Sequence, residues 1–330
     1  MAKNHESYGL IGNSQPMQQL LRLLERIAPT RATVMLCGES GTGKALLAEA
    51  IHRASPWAAG PFVTVDCTNI PANLMESEVF GHEPGAFTDA RQRKQGLIEL
   101  GAGGTVLLDE ISVLPVELQA KLLGVLETRR FRRLGGTDEH ETDTRFLAAT
   151  NEDLMQAVEE GRFREDLYYR LNVVPMEIPP LRDRGDDVLR IADHFLGEYT
   201  QRHGVDARTL GQSAILLLSA YAWPGNVREL RNVIERAVLM TDREIIRADD
   251  LVIDRRNYRS TPGAAGITIS EEGDLTVRLP ANGMSLEAVE REVIRAALRR
   301  AKGNVTKAAQ LLQMSRDTLR YRIQKFELGD

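Results

Sequence analysis

The stretch CGESGTGKA sets Gly38, Gly43 and Lys44 into the spacing G-x-x-x-x-G-K. Residues of this type at this spacing can hold a polyanion. Gly38, Gly41 and Gly43 let the backbone curl so that successive N–H groups point inward at phosphate oxygens. A helix opening near Lys44 adds its positive end, and the Lys44 ammonium reaches the terminal phosphates. About 65 residues further on, GGTVLLDE carries Asp109 and Glu110 to the end of an apolar run. Behind such a loop, Asp109 is expected to hold Mg²⁺ through water, and Glu110 to orient and activate an attacking water. Ala45 stands where Ser or Thr would ligate the metal, which leaves coordination to water and carboxylates. A further run, AATN, delivers Asn151, placed to position the water or sense a γ-phosphate, to cap the next helix, or to do both.

Three arginines suit charge developing on a transferred phosphoryl group, although each could equally be a salt-bridge partner. Arg164 and Arg170 fall within GRFREDLYYRL, and Arg228 falls on the first turn of the helix that follows WPGN. GHEPGAFTDA, residues 81–90, has neither a helical nor a strand period and reads as a loop with Phe87 and Thr88 at its tip.

The elements that position these groups follow from the apolar pattern. Short runs at 33–37, 62–65, 105–108, 145–149 and 173–178 alternate with helical stretches, notably 15–28, 44–53 and 116–127. Strands alternating with helices predict an α/β fold, a mostly parallel sheet with helices on both faces. Beyond about residue 186 the strand runs stop, and 187–203, 212–220 and 226–240 are expected to be helices of a smaller all-α unit. Residues 255–283 have little hydrophobic period and several Gly and Pro, as in a linker with one weak hairpin. The helix expected over 285–300 carries Leu286, Val289, Val293, Ile294, Ala297 and Leu298 on one face, which is either core or a dimer seam.

GNVTKAAQLLQMSRDTLRYRIQKFEL fits helix, turn, helix, with Ser315 as the second N-cap. Between 302 and 326 the charges are Lys302, Lys307, Arg316, Arg320, Arg322 and Lys325 against Asp317 alone, on a chain of net charge −5. A basic tail on an acidic body suggests a nucleic-acid footprint or a solvated helix face. Arg316, Thr318, Arg320, Tyr321 and Arg322 are available to a DNA major groove, whereas Leu319, Ile323 and Phe326 are expected in the core. The 42% hydrophobic and 27% charged residues belong to an ordinary globular protein. No apolar run is long enough for a membrane span, and the first residues lack the apolar core of a secretory signal, so a cytoplasmic location is expected. Cys37 and Cys67 sit in strand-like runs and are expected as buried thiols, not as a disulfide or metal pair.

Taken in order, GESGTGK, ESEVFGHEPGAFTDA, GGTVLLDE, LQAKLLGVLE, RRLGG, AATN, FREDLYYRLNVV, PPLRDRGDDV and WPGNVREL resemble the bacterial enhancer-binding proteins, the NtrC-like activators of sigma-54 RNA polymerase. The resemblance runs from about residue 10 to 251 and resumes at the C-terminal helices, which are similar to a Fis-type helix-turn-helix. It implies an AAA+ α/β subdomain over 8–185, a helical lid over 186–254, a linker over 255–284 and a DNA-binding domain over 285–330. It further implies that Gly38, Glu39, Ser40, Gly41, Thr42, Gly43, Lys44 and Ala45 surround ATP, and that Asp109 and Glu110 are the acidic pair. Arg164 and Arg170 then resemble fingers reaching a neighbour's nucleotide in a ring, a hexamer in this family, built from dimers. Arg228 resembles the lid's nucleotide sensor.

The family's loop reads GAFTGA and presents Phe and Thr to sigma-54, so Phe87 and Thr88 are the implied contacts with the RNA polymerase holoenzyme. Asp89 replaces the Gly of that motif, Asp66 replaces a frequent Asn that partners the catalytic Glu, and Pro84 replaces a frequent Lys. The expected function is ATP-driven activation of sigma-54 polymerase from upstream DNA. The alternative is a DNA-binding regulator of the same ancestry that no longer engages sigma-54. Because the resemblance begins near residue 8, the expected control is a regulatory protein acting in trans, or none.

Overall fold

The computed structural model describes residues 9–87, 90–206, 208–253, 266–269, 275–278, 286–301 and 304–326. Thr88 and Asp89, most of the expected linker, and the side chains of Leu286 and Val289 lie outside the described residues. The chain forms two compact units, Met1–Asn257 and Tyr258–Asp330.

In the first unit, five strands form a wholly parallel sheet: β1 (Val34–Cys37), β2 (Phe62–Asp66), β3 (Thr105–Asp109), β4 (Arg145–Thr150) and β5 (Val174–Glu177). Their spatial order is β2-β3-β4-β1-β5. Every residue of β4 is buried, as expected for a central strand covered on both faces. Alternate side chains feed two cores. Leu36, Leu107 and Leu147 meet α1 (Gln15–Ile27) and α2 (Lys44–Arg53) through Leu24, Leu47 and Ile51. Met35, Val106 and Phe146 face the other way and pack with α3 (Ala72–Phe80), α4 (Val116–Thr128) and α5 (Glu165–Leu171). The carboxyl ends of β1, β3 and β4 therefore open onto one edge, where residues 38–43, 109–110 and 151 emerge together.

Two short antiparallel ribbons lie outside the sheet: Gly81–His82 with Lys94–Gln95, and Arg130–Phe131 with His140–Glu141. Beyond the sheet, α6 (Asp187–His203), α7 (Gln212–Ala220) and α8 (Asn226–Met240) close around Ile191, Tyr199, Leu218, Trp223 and Ile234. Asp187, 2% exposed, accepts the backbone N–H of Asn13 at 2.6 Å and the Ser14 hydroxyl at 2.6 Å. A buried carboxylate at the start of α6 thus tethers the start of α1.

In the second unit, α9 (Leu286–Arg300), α10 (Val305–Leu311) and α11 (Arg316–Lys325) pack around Ile294, Ala297, Ala308, Leu319 and Phe326. Asn304 caps α10 by accepting N–H bonds from Thr306 and Lys307, and Ser315 caps α11 by accepting from Thr318. A ribbon pairs Gly266–Ile269 with Leu275–Arg278. Of the stripe on α9, Ile294 and Ala297 are core.

Candidate active site

The phosphate-type loop needs its glycines. Gly41 and Gly43 have φ of +80° and +105°, and a Cβ on Gly41 would stand 2.4 Å from the Gly225 carbonyl oxygen. The loop is tied down on its inner side, where the Thr42 hydroxyl donates to the Glu39 carbonyl at 2.7 Å. Lys44 is buried at the start of α2, and its Nζ donates to the Gly38 carbonyl at 3.0 Å. The same ammonium lies 3.2 Å from the Glu110 carboxylate.

Glu110 is held in the left-handed region, φ 51°, just past the end of β3. Strain of this kind in a non-glycine residue is commonest where a side chain must be aimed. Its second oxygen accepts the Asn151 backbone N–H at 3.1 Å. One carboxylate therefore spans the ends of β3 and β4 and faces the lysine. Beside it, burial and then the Glu110 charge push the Asp109 carboxyl above its ordinary range, with Lys44 opposing. Asp66 pairs in register with Asp109 but turns its carboxylate back on its own chain, accepting from the Thr68 hydroxyl at 2.6 Å and the Asn69 amide at 2.6 Å. Those bonds, the Thr68 hydroxyl first, hold Asp66 below the usual carboxylate range. Burial pushes the Cys67 thiol up to about 12 and raises Cys37 as well, which leaves both thiols protonated.

The lid reaches the loop directly. The Gly41 carbonyl accepts the N–H groups of Val227 and Arg228 at 3.0 and 3.3 Å, and Arg228 also donates to the Ser40 hydroxyl at 2.9 Å. Three contributors to this contact escaped the sequence reading. Arg182 pairs with Glu39, donating to Oε2 at 2.8 Å. Arg184 is buried and donates to the Thr42 carbonyl at 3.0 Å, and burial pushes its pKa down to about 10. Asn226, wholly buried at φ 50°, donates to Glu39 and to the Ser40 carbonyl. Arg182 and Arg184 fall within PPLRDRGDDV, which was noted for the family likeness alone, and the turn residues of WPGN mark the start of α8 at Asn226. Next to Thr42 and Gly43 lies a cavity of about 220 Å³, lined by Leu10, Ile11, Leu47, Ile178, Phe195 and Val227 among others. Its apolar walls suit a flat ring system beside a phosphate cradle.

Arg164 and Arg170 do not join this cluster through any bond among the described residues. Arg164 pairs with Asp166 at 2.7 Å, and Arg170 donates to the Leu126 carbonyl at 2.9 Å near the end of α4. Phe87 is 37% exposed, with its ring edge-on to His82 at 5.0 Å between centroids. The base of that loop is fixed by Arg133, which is 3% exposed and donates to Glu83 at 2.6 Å and to both Glu99 oxygens at 2.8 Å. On α11, Arg316, Thr318, Arg320 and Tyr321 are exposed. Arg322 instead makes an ion pair with Glu290 of α9, and the Thr318 hydroxyl is 2.7 Å from the Ser315 cap. No group of three or more His, Cys, Asp and Glu suited to a metal ion occurs among the described residues. None of the described helices is long and apolar enough to cross a membrane.

Comparison with known proteins bears on the same segments. A family model described as the sigma-54 interaction domain matches residues 10–177, an AAA+ ATPase lid domain matches 182–265, and a Fis-family bacterial regulatory protein model matches 285–326. The nitrogen fixation protein AnfA of Azotobacter vinelandii is 43% identical over 97% of this chain and 58% of its own length. The regulatory protein AtoC of Escherichia coli is 43% identical over 96% of this chain and 67% of its own length. The crystal structure of NtrX from Brucella abortus in complex with ADP superposes with a TM-score of 0.69 at 35% identity, covering 96% of this chain and 68% of that one. The chain spans less than two thirds of the length of AnfA and of VnfA from the same organism.

Proposed function

This chain belongs to the family of sigma-54-dependent activators, and we propose that it hydrolyses ATP within a ring of its own copies and uses that turnover to open promoter complexes of sigma-54 RNA polymerase. The observation that carries the reading is the Lys44–Glu110–Asn151 chain of contacts at the mouth of the glycine loop. It supports the reading because an ammonium suited to terminal phosphates and a carboxylate suited to orienting a water lie within one contact of each other. Residues 38–45 cradle the phosphates, and the apolar cavity beside Thr42 takes the base. A structure of the NtrX relative was solved in complex with ATP, which supports a nucleotide at this edge.

Asp109 fits a magnesium ion, because burial and the Glu110 charge both disfavour its ionised form and a divalent cation would relieve both. Bound Mg²⁺ would supply charge neutralisation at the phosphate oxygens. Glu110 acts as the base that orients the attacking water, and the Asn151 backbone fixes that base by its N–H. Arg228, already at Ser40, senses the phosphates from the lid. Arg164 and Arg170, bonded to Asp166 and to the Leu126 carbonyl and not to their own loop, serve a neighbouring subunit's nucleotide. Phe87 and Thr88 meet sigma-54, and Arg316, Thr318, Arg320, Tyr321 and Arg322 form the DNA-facing end of the second unit, with Arg322 the least available because of Glu290. The setting is the cytoplasm, and the domain limits are those drawn from the sequence.

The test is ATP turnover against protein concentration together with open-complex formation on a sigma-54 promoter. Turnover should rise as rings assemble and vanish in Lys44→Ala. Turnover without open complexes would favour a DNA-binding regulator that has lost sigma-54, consistent with Asp89 in the loop. No turnover at any concentration would sink the ATPase reading.

A further inference from the structure

Glu39 is the one acid among residues 38–45, in a loop built to attract a polyanion. A carboxylate there opposes the loop's own field, so its contacts must offset it. The Arg182 guanidinium is the largest influence holding Glu39 below its usual range, with the Asn226 amide assisting against burial. Arg182 forks onto both Glu39 oxygens, and Asn226 Nδ2 donates to Oε2 at 3.0 Å. Asn226 has no exposed surface, and its Oδ1 accepts the Leu181 N–H at 2.8 Å. Glu39 therefore joins three separate pieces: the phosphate loop, the turn Leu181–Asp183 that leaves the sheet, and the first residue of α8. The bonds from Val227 and Arg228 to the Gly41 carbonyl run alongside. Swinging the lid off the loop would break the Glu39 contact to Asn226 and, with the hinge ahead of residue 182, where the lid match begins, the contact to Arg182 as well.

We infer that Glu39 is a positioning residue that latches the lid over the bound nucleotide and so sets the rate at which ADP leaves. The inference rests on the reading of this loop as the ATP site. Glu39 accepts from the protein, not from the ligand, and acts by holding Arg182 and Asn226. A charge-assisted, forked pair of this kind is strong enough for its loss to change an off-rate by about tenfold.

The experiment follows release of the fluorescent nucleotide MANT-ADP from the full chain by stopped flow, in Glu39→Ala, Arg182→Ala and the double variant. Each single change should speed release about tenfold, and the double variant should be no faster than either. The KM for ATP should rise in step with the release rate, whereas general loss of structure would lower the fraction of chain that binds MANT-ADP without changing the off-rate of what remains bound. Glu39→Gln, which preserves volume, repeats the comparison should Glu39→Ala fail to fold. Unchanged release in the Glu39 variants, or single effects that multiply to about a hundredfold in the double variant, would overturn the latch. Failure of the unmodified chain to bind MANT-ADP would overturn the ATP-site reading and the latch with it.

Discussion

Replacing Arg133 by Met tests how the ribbon that begins at Gly81 is held to the rest of its unit. The Arg133 side chain is 2% exposed, and its guanidinium donates to Glu83 and, by two nitrogens, to Glu99. Methionine retains most of the stem's packing and removes only the charge and the donors. Deleting one partner of a fully buried ion pair costs about 3–5 kcal/mol. Here Glu83 and Glu99 are 32% and 22% exposed, and Arg93 stands 3.9 Å from each, so the stranded carboxylates recover part of that cost from water and from Arg93. The expected loss is about 2–3 kcal/mol, or about 5–10 °C in Tm for a unit of this size. The pH dependence has a definite sign. Although burial pushes Glu99 up, the Arg133 bonds hold its folded-state pKa below the ordinary value. The stabilisation is then complete above the unfolded Glu value of about 4.3 and is lost as pH falls through the lower folded value. Calorimetry of both proteins at neutral pH and near pH 3 measures this. A loss below about 1 kcal/mol at neutral pH, or a gap between the two proteins that widens in acid, would refute the account of Arg133 as a charge-dependent tie.

Asp109→Asn should abolish ATP turnover yet raise Tm in the absence of nucleotide, because burial and Glu110 both penalise the native carboxylate; a fall in Tm by calorimetry would contradict this. Arg170→Ala should preserve MANT-ATP affinity while cutting turnover by about 10³-fold, and normal turnover at assembling concentrations would remove it from the finger role. Arg320→Ala should cost about 1–3 kcal/mol on a specific DNA site, whereas Arg322→Ala should chiefly lower the melting temperature of the C-terminal unit; equal losses on specific DNA would show that Glu290 does not withhold Arg322.

The main frame was legible because fully covered strands announce themselves. TVLL and RFLAA read as buried runs, and the strands extend one residue further, to Asp109 and Thr150, because the parallel ladder continues through polar ends. Helices over 44–53, 187–203, 212–220 and 226–240 coincide with the sequence reading, because glycine punctuates each at one end: Gly43, Gly211 and Gly225 precede three of them and Gly204 follows the fourth. The ribbons at Gly81–His82 and Arg130–Phe131 were invisible, since two residues have no period to detect. The Glu39 contacts were equally hidden: they join residues 143 and 187 positions apart, and no local pattern encodes such a meeting. Arg322 was different, because the information was there. Leu319 and Phe326 are buried, and a residue three after Leu319 and four before Phe326 lies on the inner face of the helix, toward α9. Counting charge without that period put Arg322 in the same class as the exposed Arg316 and Arg320.

Asp66 shows how a one-atom departure from a family pattern acquires physical content. An amide at that position could donate to Glu110, whereas a carboxylate can only accept. The structure gives it donors elsewhere, the Thr68 N–H and hydroxyl and the Asn69 amide, so its charge is satisfied within its own turn. Glu110 in turn takes its contacts from Lys44 and the Asn151 N–H, and neither belongs to β2. With no donor from β2 among the described residues, the Glu110 carboxylate answers to the glycine loop and to β4. Movement of the 81–95 hairpin would therefore have to reach Glu110 through the packed helices and strands around it, since Asp66 provides no hydrogen bond along that route.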